Sequence, residues 1–188
     1  MKCIKSFIFF ILTFFTIPVF ANIQTVSLNK EDQLTNLIKL IEHKEKVVEW
    51  VKKNTTNKAS TENASDIVYH TFSTSFTTGI DPTIILAIMR TESGFRTNAK
   101  SGYGAQGLMQ VVPRFHKDKL KGESPFNIQT SIRVGTQVLT DCLRKHKGNS
   151  YKALNCYSGG GGSKYYRTVS GFKANLDNFL KPNVRSVI

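Results

Sequence analysis

Apolar residues fall along this chain in runs of different kinds, and each kind predicts a different element. Behind Met1-Lys2-Cys3-Ile4-Lys5, a continuous apolar stretch from Phe7 to Phe15 leads to Pro18-Val19-Phe20-Ala21. A basic start, a short apolar centre and small residues at Val19 and Ala21 predict a secretory signal peptide over 1–21, cut after Ala21. An uncleaved anchor is the other reading; it is the weaker one because the run is short for a span and stops at Pro18. From Lys30 to Lys53 the pattern changes. Leu34, Leu37, Ile38, Ile41, Val48 and Val51 recur with charges between them, as a one-sided helix requires. Region 22–53 is therefore expected to be an amphipathic helix that covers a core. Residues 54–65 are almost all Asn, Thr, Ser, Lys and Ala, without an apolar period, and read as a linker.

Beyond the linker the signals are helical. A helix is expected from Asp66 to Thr78, stopped by Gly79; Asp81 then serves as N-cap and Pro82 as first residue of the next. In that next helix Ile84 to Met89 are consecutively apolar, too short to cross a membrane and so buried on nearly every side. It stops in Arg90-Thr91-Glu92-Ser93-Gly94. Asn98 to Gln110 is rich in glycine and small residues, which marks irregular backbone. Asn127 can cap a helix running to Lys147 before Gly148, with Ile128, Ile132, Val138, Leu139 and Leu143 on its buried side. A further helix fits Ser150 to Tyr157. After Gly159 to Gly162, Phe172, Leu176, Phe179 and Leu180 predict a closing helix before Pro182, with 181–188 as a tail. Few strand signals and no repeat leave a mainly α fold with little or no β-sheet, one catalytic-size domain over 66–180.

Composition adds direction. At 188 residues there is room for one ordinary domain, a leader and an extra helix. Lysine and arginine outnumber acids 26 to 13, and removing Lys2 and Lys5 with the leader leaves the chain strongly basic. That balance favours anionic partners. Export, and the lack of a basic stripe with interleaved aromatics, argue against nucleic acid. Of three cysteines, Cys3 belongs to the leader; Cys142 and Cys156 each lie seven residues from the Asn149 turn, so an antiparallel helix pair would bring them level. An oxidising compartment would let them form a disulfide, the alternative being two buried thiols. His43, His70, His116 and His146 have no ligand spacing, so neither metal nor cofactor is expected, and no phosphate loop or Ser-His-Asp pattern occurs.

Glu92 is the candidate for chemistry, because it ends the wholly apolar helix and opens a glycine-rich turn. Burial among apolar groups raises a carboxyl pKa and keeps the group available as an acid. Salt-bridging to Arg90 or Arg96 is the plain alternative. Around it stand Glu92-Ser93-Gly94-Phe95, Ser101 and Gly104-Ala105-Gln106-Gly107-Leu108-Met109-Gln110. Asn127-Ile128, Gly135 and Ala153-Leu154-Asn155-Cys156-Tyr157-Ser158-Gly159-Gly160 follow in order. This series, over roughly Asp66 to Tyr166, resembles the soluble lytic transglycosylase family.

The resemblance implies a lysozyme-like domain acting on peptidoglycan glycan strands as a monomer in the periplasm or outside the cell. Glu92 would be its catalytic residue, and Ser101, Gln110, Tyr157 and Ser158 would meet substrate, Tyr157 with its hydroxyl near Glu92. Secretion or conjugation apparatus proteins are the further partners implied for small members of the family. Where the family has asparagine, this chain has Ser158, and the usual proline is missing from Gly159 to Gly162; the sugar contacts there are what that departure affects. A water-using muramidase, for which Asp118 or Glu123 would be the second carboxylate, and a non-catalytic wall-binding scaffold are the competing readings.

Overall fold

The computed structural model describes residues 17–56 and 61–181, with side chains from residue 30 onward. Most of the predicted leader, the centre of the linker (57–60) and the tail from 182 lie outside them. Seven helices are described: α1 (Ile17–Asn54), α2 (Ala64–Thr78), α3 (Pro82–Glu92), α4 (Lys117–Leu120), α5 (Ile128–Lys145), α6 (Ser150–Tyr157) and α7 (Gly162–Leu180). Among the described residues there is no strand, only the isolated bridges Lys100 to Gln106 and Gln106 to Val111. No described helix is long and apolar enough to cross a membrane.

The chain divides into two compact units, 1–43 and 44–188. In the first, Leu34, Leu37, Ile38, Leu40 and Ile41 are exposed. The second holds the core. Its centre is α3, where Ile85 through Met89 are all buried, as a helix apolar on every side must be. α7 packs along α3, α2 lies against α3 and α5, and α6 joins α5 to α7. The helix starts follow local chemistry. Asp81, Asn127 and Asn149 accept hydrogen bonds from the backbone N–H of Thr83, Thr130 and Lys152. Gly79 ends α2 in the left-handed region at φ +70°.

The last turns of α1 belong to this core, as expected of a helix that covers one, whereas Leu34, Leu37, Ile38 and Ile41, expected on the same covered side, are exposed. Val47, Trp50 and Val51 are buried. Trp50 meets Phe95 edge-on at 5.9 Å between ring centroids, and its indole N–H donates to Asn175 Oδ1 at 2.8 Å. Thr56 donates its backbone N–H to the Gly94 carbonyl at 3.2 Å. The end of α1 is thus fastened to the turn that follows Glu92.

Candidate active site

Glu92 is the last residue of α3, and the turn after it is held from several sides. Ser93 is buried and donates its hydroxyl to the Leu108 carbonyl at 2.8 Å. Gly94 and Phe95 both take positive φ, +58° and +63°. For phenylalanine this conformation stores strain, of order 1–3 kcal/mol. Burial of its ring against Trp50 holds it there.

The glycine-rich segment forms the facing wall. Gly107 donates to the Ala99 carbonyl at 2.8 Å, Gln106 and Val111 exchange two backbone hydrogen bonds, and the Met109 N–H donates to Ser131 Oγ on α5 at 3.1 Å. Gly135 of α5 has no side chain because Met109 lies where its Cβ would be.

These walls enclose a cleft of about 680 Å³, lined in part by Glu92, Ser101, Gln110, Tyr157 and Ser158. The structure therefore brings together all five residues singled out from the sequence. Ser101, Gln110 and Ser158, like Tyr157, turn their polar atoms to backbone. Ser101 Oγ accepts from the Ala105 N–H at 3.0 Å, and Gln110 Nε2 donates to the Ala99 and Gly107 carbonyls at 3.2 and 3.0 Å. Ser158 Oγ accepts from the Gly161 N–H at 2.9 Å and donates to the Asn155 carbonyl at 3.2 Å, so the serine that departs from the family pattern closes the glycine turn.

Tyr157 does not bond the Glu92 carboxyl. Its hydroxyl donates to the Met109 carbonyl at 2.8 Å, tying α6 to the glycine-rich wall. Burial, followed by the Glu92 charge, pushes its pKa well up. The residue that meets the carboxyl is Tyr165 of α7, whose hydroxyl donates to Glu92 Oε1 at 2.5 Å. Sequence reading missed it. Stepping back from Phe172 and Leu176 by helical intervals reaches Val169 and then Tyr165, a stripe that carries the tyrosine onto the face packed against α3.

Burial raises the pKa of Glu92 above the ordinary carboxylate value, and the Tyr165 hydrogen bond pulls it partway back. Among the described residues no other carboxylate is placed like it. Asp118 and Glu123 do not line the cleft. Asp118 pairs with Lys119, while Glu123 pairs with Arg133 and accepts from Thr130. Asp141 does line the cleft, but its oxygens are held by Lys119 at 3.1 Å and Arg144 at 3.4 Å. Cys142 and Cys156 are joined by a disulfide, their Cα atoms 5.8 Å apart, which links α5 to α6 in the cleft wall.

Comparison with known proteins places this arrangement. Residues 72–177, more than half of the chain, match the transglycosylase SLT domain family. The membrane-bound lytic murein transglycosylase C of Yersinia enterocolitica is 36% identical over 123 residues, 55% of this chain and 34% of the relative. The proteins of the same name from Yersinia pestis and Yersinia pseudotuberculosis are 37% identical over 102 residues, 45% of this chain and 28% of theirs. The chain thus spans about a third or less of the length of these relatives. With the family match covering the whole cleft and Tyr165 behind Glu92 on a mainly helical, lysozyme-like core, the chain belongs to the transglycosylase SLT domain family.

Proposed function

We propose that the protein is a peptidoglycan lytic transglycosylase that cleaves the β-1,4 bond between N-acetylmuramic acid and N-acetylglucosamine, with Glu92 as the acid and then the base. The observation that carries this reading is the environment of Glu92. It is a carboxyl at the mouth of a buried helix, kept toward its protonated form by burial, while Asp141 beside the cleft is tied up by cations.

The chemistry follows from one carboxyl. Its proton passes to the glycosidic oxygen as the bond from that oxygen to C1 breaks, and positive character grows at C1. The substrate's own N-acetyl oxygen supports that centre, a departure from the two-carboxylate scheme. The carboxylate then takes the proton of the muramyl C6 hydroxyl while its oxygen bonds to C1, closing a 1,6-anhydro ring without consuming water. The Tyr165 hydroxyl, donating to Oε1, stabilises the carboxylate formed between the two steps. Support comes also from the relatives, whose names are those of murein transglycosylases.

The same proposal puts the enzyme in the periplasm after removal of the leader, opening the wall for a secretion or conjugation apparatus. The strongly basic composition suits an anionic wall. Copurification of apparatus subunits from cells tests the last clause, and recovery with murein alone contradicts it. The reaction is tested by mass spectrometry of products from purified peptidoglycan incubated in ¹⁸O-water. Unlabelled anhydromuropeptides are expected. Labelled reducing ends would make the protein a hydrolytic muramidase.

A further inference from the structure

Two turns meet at the cleft and leave an arrangement that catalysis at Glu92 does not use. The turn closed by the Gly104 N–H on the Ser101 carbonyl carries Tyr103, and the single 3-10 turn at Pro113–Phe115 carries Arg114 and Phe115. The Arg114 guanidinium lies 4.0 Å from the Tyr103 ring centroid and 4.7 Å from that of Phe115, and the two rings are 6.3 Å apart. Tyr103 is 64% exposed and Phe115 58% exposed, and both line the same cleft as Glu92.

Large rings left this open are not there for the core. A guanidinium packed against a tyrosine fixes the ring's orientation and leaves the remaining ring surface to the cleft. An aromatic face is the negative side of the ring, complementary to the C–H face of a pyranose. Among the described residues Arg114 has no carboxylate partner. Its fixed charge and planar donors match a carboxylate on whatever stacks beside it.

We propose that Tyr103, backed by Arg114 and Phe115, is a stacking platform in the cleft for one N-acetylhexosamine ring, and that Arg114 selects a strand bearing a stem-peptide carboxylate there. The inference rests on the glycan reading of the cleft and adds to it a position and a preference. Neither Tyr103 nor Arg114 is among the motif residues that carry the family resemblance.

The test is calorimetric binding to protein carrying Glu92→Gln, so that no strand is cut. The probes are chitohexaose, which is neutral, and a peptidoglycan hexasaccharide carrying its stem peptides. Adding Tyr103→Ala weakens both by about tenfold, the loss of one good contact, and Tyr103→Phe restores both. Arg114→Gln loosens the Tyr103 ring and so weakens chitohexaose slightly, and it weakens the stem-bearing probe severalfold more. Because Tyr103 is mostly exposed, the melting temperature should stay with the parent. Unchanged binding in Tyr103→Ala overturns the platform alone. Equal loss of both probes in Arg114→Gln overturns the acidic preference. Failure of the parent to bind either probe overturns the platform together with the glycan reading.

Discussion

On the glycine-rich wall of the cleft, Gly107 turns at φ +73° with the Pro125 carbonyl oxygen occupying the space a Cβ would need. On the opposite side Gly159, Gly160 and Gly162 also take positive φ, yet nothing lies within 4 Å of where a Cβ would go. Gly107 is required by close packing against backbone as well as by conformation; Gly159, Gly160 and Gly162 are required by conformation alone, and Gly161 between them by contact with the Ser158 and Tyr165 side chains. That difference matches how each wall is fixed. The 98–111 segment is locked by its own bridges and by α5. The α6–α7 corner is held by three tethers at its edges: the disulfide, Tyr157 on Met109 and Tyr165 on Glu92.

Breaking the locked wall should therefore cost most. Gly107→Ala combines a disfavoured conformation with a collision against backbone that has nowhere to move, and is expected to lose more than about 3 kcal/mol in denaturant unfolding. Removing the tether between α5 and α6 comes next. The bridge closes a separation of 14 residues, for which chain entropy gives about 3 kcal/mol. A Cys142→Ser, Cys156→Ser variant should unfold at correspondingly lower denaturant, and the oxidised protein should lose the same amount on reduction. Gly159→Ala, at φ +65° with nothing within 4 Å, should cost about 1–2 kcal/mol, the strain of a left-handed alanine alone. Equal losses for Gly107→Ala and Gly159→Ala would erase the distinction between the walls.

The smallest effects sharpen the role of the third tether. Tyr165→Phe removes the hydrogen bond that lowers the Glu92 pKa, so Glu92 stays protonated to higher pH and the basic limb of kcat/KM should move upward. A limb that stays put or moves down contradicts the assignment. Stability gives an independent readout of the same group. Glu92 has its ordinary value, near 4.5, in the unfolded chain and a raised one in the fold. The folded state therefore binds more protons between those two values, and stability falls as pH rises from the lower through the higher. Glu92→Gln removes that cost. Its melting temperature relative to the parent should rise as pH goes from about 4 to about 7.

Much of this molecule was legible because local chemistry set its boundaries. Gly79, Asp81 with Pro82, Asn127 and Asn149 each stand where a helix stops or starts, and α6 runs over the residues expected of it. That Glu92 would stand in a cleft was suggested in part by the apolar helix it ends, and mainly by the motif residues around it that carry the family resemblance. What failed to show depended on contacts distant in sequence. Val47 and Trp50 were not among the apolar positions counted in the N-terminal stripe, yet both are buried; Trp50 makes sense only beside Phe95 and Asn175. Tyr165 follows a glycine run that gives no period of its own, so the start of α7 at Gly162 could be seen only by extending the Phe172 and Leu176 stripe backward. Ser101, Ser158 and Gln110, expected at sugar, line the cleft and also bond turn backbone, a use that composition near glycines allows equally well.

The most direct test of the account is the rate at which Glu92→Gln protein solubilises purified peptidoglycan, measured beside the parent with matched circular dichroism and melting curves. Loss of the acid–base group should lower that rate by at least about 10²–10⁴-fold while the fold is kept. A folded Glu92→Gln protein that still releases muropeptides at a rate near the parent's would remove Glu92 from the chemistry, and with it the mechanism derived from this cleft.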